Sequence, residues 1–147
     1  MNLPVALLAL CLLSGCAQGL CDPDDEPSIE LGAGVGGAFE PYVDGQQVGL
    51  DVAPQGGFGI TTLIQTRGLL AGDGRLSDTQ LDVLIDGALE GTFLQENTQL
   101  LCAGADVGGR ISGVVAGFDK DRYSSNDDLL QLDGQLVTLD ITVTDEE

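Results

Sequence analysis

Gln135-Leu136-Val137-Thr138-Leu139-Asp140-Ile141-Thr142-Val143-Thr144 alternates without a break. Val137, Leu139, Ile141 and Val143 fall on one side, and Thr138, Asp140, Thr142 and Thr144 on the other. Successive side chains of a strand point to opposite faces, so this pattern predicts a β-strand with one face in a core and one in water. A helix would scatter the same residues around its circumference. The ending of the chain therefore reads as half-buried sheet.

Upstream, the same period returns. Gln47 to Ala53 carries Val48, Leu50 and Val52 in alternation, and Gly57 to Leu70 is a long run with Phe58, Ile60, Thr62 and Ile64 on one face. Pro54-Gln55-Gly56-Gly57 between them reads as a turn. Further strands are expected at Thr92 to Glu96, Thr98 to Ala103 and Arg110 to Phe118. Leu81 to Gly91 fits two structures. Leu81, Leu84, Ile85, Ala88 and Leu89 have helical spacing, and Ser77 with Gln80 resembles a capping box. Leu81, Val83 and Ile85 also alternate, and Asp86-Gly87 is a strong hairpin signal. A glycine inside a helix costs about 1 kcal/mol. The hairpin is the expectation.

Seven or eight short strands and 22 glycines, with few long helix formers, point to an all-β fold. The expected form is a single antiparallel β-sandwich, immunoglobulin-like or C2-like, over residues 29–147. The acidic, proline-rich Asp22-Pro23-Asp24-Asp25-Glu26-Pro27 marks residues 16–28 as a lead-in outside the packed domain.

Leu13-Ser14-Gly15-Cys16, directly behind the apolar run Leu3 to Leu13, resembles the lipobox of bacterial lipoproteins. The run has the length of a signal-peptide core and falls short of the roughly 20 residues that span a bilayer. The resemblance implies cleavage after Gly15, with residues 1–15 as signal peptide and Cys16 as the acylated N-terminus. Cys11 is a poor rival, because the bulky Leu10 precedes it. No Lys or Arg precedes the apolar run, a departure from the family pattern. Ala17 lacks the aspartate that often retains lipoproteins in the inner membrane, so the resemblance implies the outer membrane. Glu30-Leu31-Gly32, Phe39-Glu40-Pro41, Pro54-Gln55-Gly56-Gly57 and the closing strand from Asp133-Gly134 to Val143-Thr144-Asp145 are similar to an uncharacterised group of secreted bacterial lipoproteins. That resemblance supports the sandwich and implies no activity.

Removing residues 1–15 leaves 132 of the 147 residues, enough for one domain with a core. Of the four cysteines, Cys11 leaves with the signal and Cys16 takes the lipid. Cys21 and Cys102 remain as a pair in an oxidising compartment, and a disulfide between them is expected. The alternative is two free, buried thiols. A bridge would leave only Ala17 to Leu20 between the lipidated and the stapled residue, a tether of at most about 17 Å.

The formal net charge is −19, with 24 acids against five bases. Arg67, Arg75, Arg110, Lys120 and Arg122 form no basic patch, so nucleic acid and anionic headgroups are repelled. Cations and basic partners are favoured.

No histidine is present, which removes Ser-His-Asp and Cys-His catalysis, His-ligated zinc and the usual general base near neutral pH. Lys120, the sole lysine, lies between Asp119 and Asp121, a setting that does not suit an amine nucleophile. Gly32, Gly34 and Gly37 match the dinucleotide glycine spacing, but Pro41 follows where a helix would have to open. A loop is the reading. Paired carboxylates could serve a glycosidase, yet four Phe, two Tyr and no Trp supply little sugar-binding platform.

The densest polar constellation is Asp119-Lys120-Asp121-Arg122-Tyr123-Ser124-Ser125-Asn126-Asp127-Asp128. Calcium takes six to eight hard oxygen ligands, and Asp119, Asp121, Asp127 and Asp128 are the candidates. Ser124 and Leu130 stand where an EF-hand needs glycine and glutamate. A solvated loop, with Lys120 and Arg122 paired to their neighbours, is the plainer expectation. No cofactor is required. The whole reads as a non-enzymatic, lipid-anchored binding or structural module of the cell envelope, holding another envelope protein. A carboxylate-based hydrolase and a calcium-dependent adhesion domain are the alternatives.

Overall fold

The computed structural model describes Cys21 and residues 26–34, 38–53, 56–104 and 107–145. The lipobox, Cys11, Cys16, Asp22 to Asp25, Gly37 and Pro54-Gln55 lie outside the described residues.

Nine strands are present among the described residues: β1 (Ser28–Ala33), β2 (Glu40–Pro41), β3 (Asp51–Val52), β4 (Phe58–Arg67), β5 (Leu76–Ile85), β6 (Ala88–Gln99), β7 (Leu101–Gly104), β8 (Gly108–Phe118) and β9 (Val137–Asp145). They form one antiparallel sheet, curled into a half-barrel, in the order β2-β1-β4-β8-β6-β5-β9. β3 adds to β4 and β7 to β8. The halves of the sheet meet at β6 and β8, which pair only at Gly91↔Phe118 and Thr92↔Gly117.

The core fills the concave side. Ile60 and Ile64 of β4, Ile111, Val114 and Ala116 of β8, and Leu81 and Val83 of β5 are all buried. β9 behaves as its alternation requires: Val137, Leu139, Ile141 and Val143 turn inward and the threonines and Asp140 outward. Cys21 and Cys102 are joined as a disulfide with Cα atoms 5.4 Å apart, 81 residues apart in sequence.

Leu81 to Gly91 is a hairpin. Asp86 and Gly87 take φ of 52° and 77°, the mirror-image turn that matches strand twist. Four register shifts then adjust the pattern among the described residues; one lies between Cys102 and Gly104 of β7, and the other three act on the long strands. β8 carries one more residue than β4 between the pairs Thr62↔Val114 and Ile64↔Ile111, with Gly113 at φ 74°. That extra residue keeps Ile111 and Val114 on one face although they are three apart. Asn97, at φ 56°, is the extra residue that lets β6 run on where two strands were expected. Glu90 is the third.

Gln47 to Ala53 departs from expectation. Only Asp51 and Val52 form strand, against Phe58 and Gly59. Val48 and Leu50 pack toward the core, but Val52 is 73% exposed. Alternation placed two of its three apolar residues correctly, and the partner edge of β4 reaches only the last two positions. The connection from β8 to β9 also holds regular structure: a helical turn α1 (Asn126–Leu129), then a 3-10 turn over Leu130–Leu132. Ser125-x-x-Asp128 is the capping box that starts it, a signal present in the sequence.

Candidate functional site

Two regions stand out: the polar connection 119–136, and the open seam of the half-barrel.

The connection is pinned by Glu90. Between Leu84↔Leu89 and Val83↔Gly91, Glu90 has no partner in β5, and its side chain is 8% exposed. Both carboxylate oxygens take Arg122 Nη1, and Oε2 also accepts from the Tyr123 hydroxyl at 2.9 Å. Tyr123 is 3% exposed and stands edge-on to Phe118, centroids 5.4 Å apart. Burial first, then the hydrogen bond and negative charge of Glu90, push its hydroxyl pKa above the usual 10.0. Every group in the cluster has a partner, so it is a structural staple. Arg122 therefore pairs with a residue 32 positions away and not with its aspartate neighbours.

The four aspartates do not gather into a calcium site. Among the described residues no group of three or more His, Cys, Asp or Glu could hold a metal ion. Asp128 Oδ2 accepts from Ser124 N, Ser124 Oγ, Ser125 N and Ser125 Oγ at 2.8–3.3 Å. Those bonds, that of the Ser125 hydroxyl foremost, hold its carboxyl below the usual 3.8. Asp119 Oδ1 accepts from Asp121 N at 2.9 Å, which spends it on a local turn. Asp121 and Asp127 are exposed. The chain folds the carboxylates of Asp119 and Asp128 onto its own N–H and O–H groups.

The seam is different. β9 ends the sheet on one side; on the other lies β1, with only the two-residue β2 beyond it, and among the described residues no ladder joins β1 to β9. Between them runs an apolar trough of about 1420 Å³. Its floor is Ile60, Ile85 and Phe118; Ile29 and Leu31 of β1 line one wall and Val137, Leu139 and Ile141 of β9 the other. Val48 and Leu50 close one lip, and Leu129 and Leu132 the opposite one. Val43, Leu130 and Leu136 stand on the rim at 68%, 71% and 72% exposure. The lip at Tyr42 is fixed, with Tyr42 N donating to Leu31 O at 2.9 Å and Tyr42 Oη to Thr61 O at 3.1 Å. At the far end Leu70 N donates to Asp145 Oδ2 at 2.8 Å and ties the β4–β5 connection to the end of β9. The charged residues lining the trough are Glu30, Asp44 and Asp133, all acidic.

None of these residues was legible as a site, because each reads as an ordinary core position until the barrel fails to close. Gly32 and Gly34 of the glycine motif lie in and just after β1, with the carbonyls of Glu40 and Ala38 where a side chain would start. Close strand approach explains them. Comparison with protein families, curated proteins and solved structures finds no match to any of them.

Proposed function

We propose that this chain is a lipid-anchored binding module of a bacterial cell envelope, non-enzymatic, with the seam trough as its binding face. The observation that carries it is the open, apolar trough between two unclosed strands. Apolar residues left at an open seam and rimmed by polar ones are a feature of interaction sites. Small-molecule pockets enclose roughly 300–1,000 Å³, and the trough is larger and only partly enclosed. It suits an extended chain better than a compact molecule. The two halves of the curled sheet, joined over two residue pairs, support an immunoglobulin-like or C2-like sandwich as the scaffold.

Anchoring follows from Cys16 as the acylated residue, with the protein on the outer membrane facing an envelope partner. The bridge from Cys21 to Cys102 supports a short tether. An environment-sensitive apolar dye should bind the soluble domain, and Leu130→Glu/Leu136→Glu should weaken it several-fold with melting unchanged, since both residues are exposed. Dye binding that ignores both rim substitutions overturns the trough. Cys16→Ala should release the protein from the membrane fraction, and unchanged membrane recovery overturns the anchor.

A further inference from the structure

We infer that the trough takes an extended partner segment alternating apolar with Lys or Arg residues, added as a strand to the free edge of β9; this rests on the trough being the binding face. β9 pairs with β5 over nine consecutive positions, Ser77↔Asp145 to Ile85↔Val137, with no shift of register. Among the described residues its other edge has no strand beside it. Proteins usually guard such an edge with Lys, Pro or a bulge. β9, Val137-Thr138-Leu139-Asp140-Ile141-Thr142-Val143-Thr144-Asp145, has none of these. Five antiparallel steps separate β1 from β9, so the two run in opposite directions. A strand laid antiparallel to β9 therefore lies parallel to β1.

Charge chooses the occupant. Side chains of an added strand alternate between trough and solvent. Those turned inward meet Leu139 and Ile141, and those turned outward pass Asp140, which already stands opposite Asp82 across the β5–β9 ladder. Glu30, Asp44 and Asp133 add negative charge along the trough. Apolar residues inward and basic residues outward satisfy both faces. A second copy of this chain would bring its own Asp140 and a net charge of −19 against the same edge, and a fatty acid would bring a carboxylate to an acidic rim.

The test uses the disulfide-intact protein and a peptide of about eight residues alternating Val or Ile with Lys. Three companions are needed: the same peptide with Glu for Lys, the same peptide N-methylated at alternate residues, and dodecanoate. The Lys peptide should displace the apolar dye, protect amides of Val137 to Val143 from hydrogen exchange, and bind less tightly as salt rises. The Glu and N-methylated peptides should bind at least about tenfold more weakly. Equal binding of the N-methylated peptide, or dye displacement by dodecanoate and not by the Lys peptide, overturns strand addition while leaving the trough as a binding face. Concentration-dependent dimers that protect the same amides overturn it in favour of a second copy. Failure of the dye itself to bind removes the trough reading beneath it.

Discussion

The hydroxyl of Tyr123 donates to Oε2 of Glu90 at 2.9 Å across 33 residues of sequence. The contact exists because a bulge turns Glu90 inward instead of leaving it opposite β5. Arg122, 61% exposed, closes the other side of the carboxylate. The bond pins the start of the connection whose later residues, Leu129 and Leu132, form a lip of the trough. The core and the trough are thus joined through one buried carboxylate.

Tyr123→Phe should lower stability by about 2 kcal/mol, the worth of a hydrogen bond to a charged group. Glu90→Ala should cost more, about 3 kcal/mol, because it also strands the buried hydroxyl. The double variant should cost less than the sum of the two, measured by urea unfolding. Additive losses would mean the two residues act separately.

The same cluster sets an alkaline limit. The folded Tyr123 hydroxyl titrates above the ordinary 10.0, from burial and then Glu90, so folding holds the neutral form. That contribution is fully present below the unfolded pKa of 10.0 and is lost as pH rises beyond it toward the folded value. Asp128 runs the other way. Its carboxyl is held below 3.8, so its contribution is present above that pH and is lost as pH falls through the folded value. Thermal melts against pH should show Tyr123→Phe flattening the alkaline limb and Asp128→Asn the acid limb.

Reduction should destabilise the domain strongly. The bridge between Cys21 and Cys102 closes a loop with a sequence separation of 81. The chain-entropy argument assigns about 4.5 kcal/mol to a loop of that size. Non-reducing mass mapping should find the pair joined, and a reducing agent should lower Tm by ten degrees or more, roughly 3 °C per kcal/mol for a domain of this size.

Calcium should act only as a screening ion. At matched ionic strength, the melting shift on replacing sodium with calcium should be equal in the native protein and in Asp119→Asn/Asp121→Asn. A shift confined to the native protein would show that these carboxylates reach an ion that the folded loop does not gather.

Strands with a clear period and turns with a clear chemistry were readable from local residues alone. Val137 to Val143 had to alternate, and Asp86-Gly87 had to turn, because side-chain direction and φ are local properties. Cys21 and Cys102 were legible by count. Ser125 and Asp128 carry a local signal too, as a capping box. Only the tertiary structure decided the rest. Whether Val52 faces in or out depends on how far the edge of β4 extends, and whether Glu90 is buried depends on a bulge opposite β5. That Leu139 and Ile141 line an open trough depends on β1 and β9 failing to meet. Closure is a sum over every twist and bulge between those two strands, and no local stretch of sequence contains it.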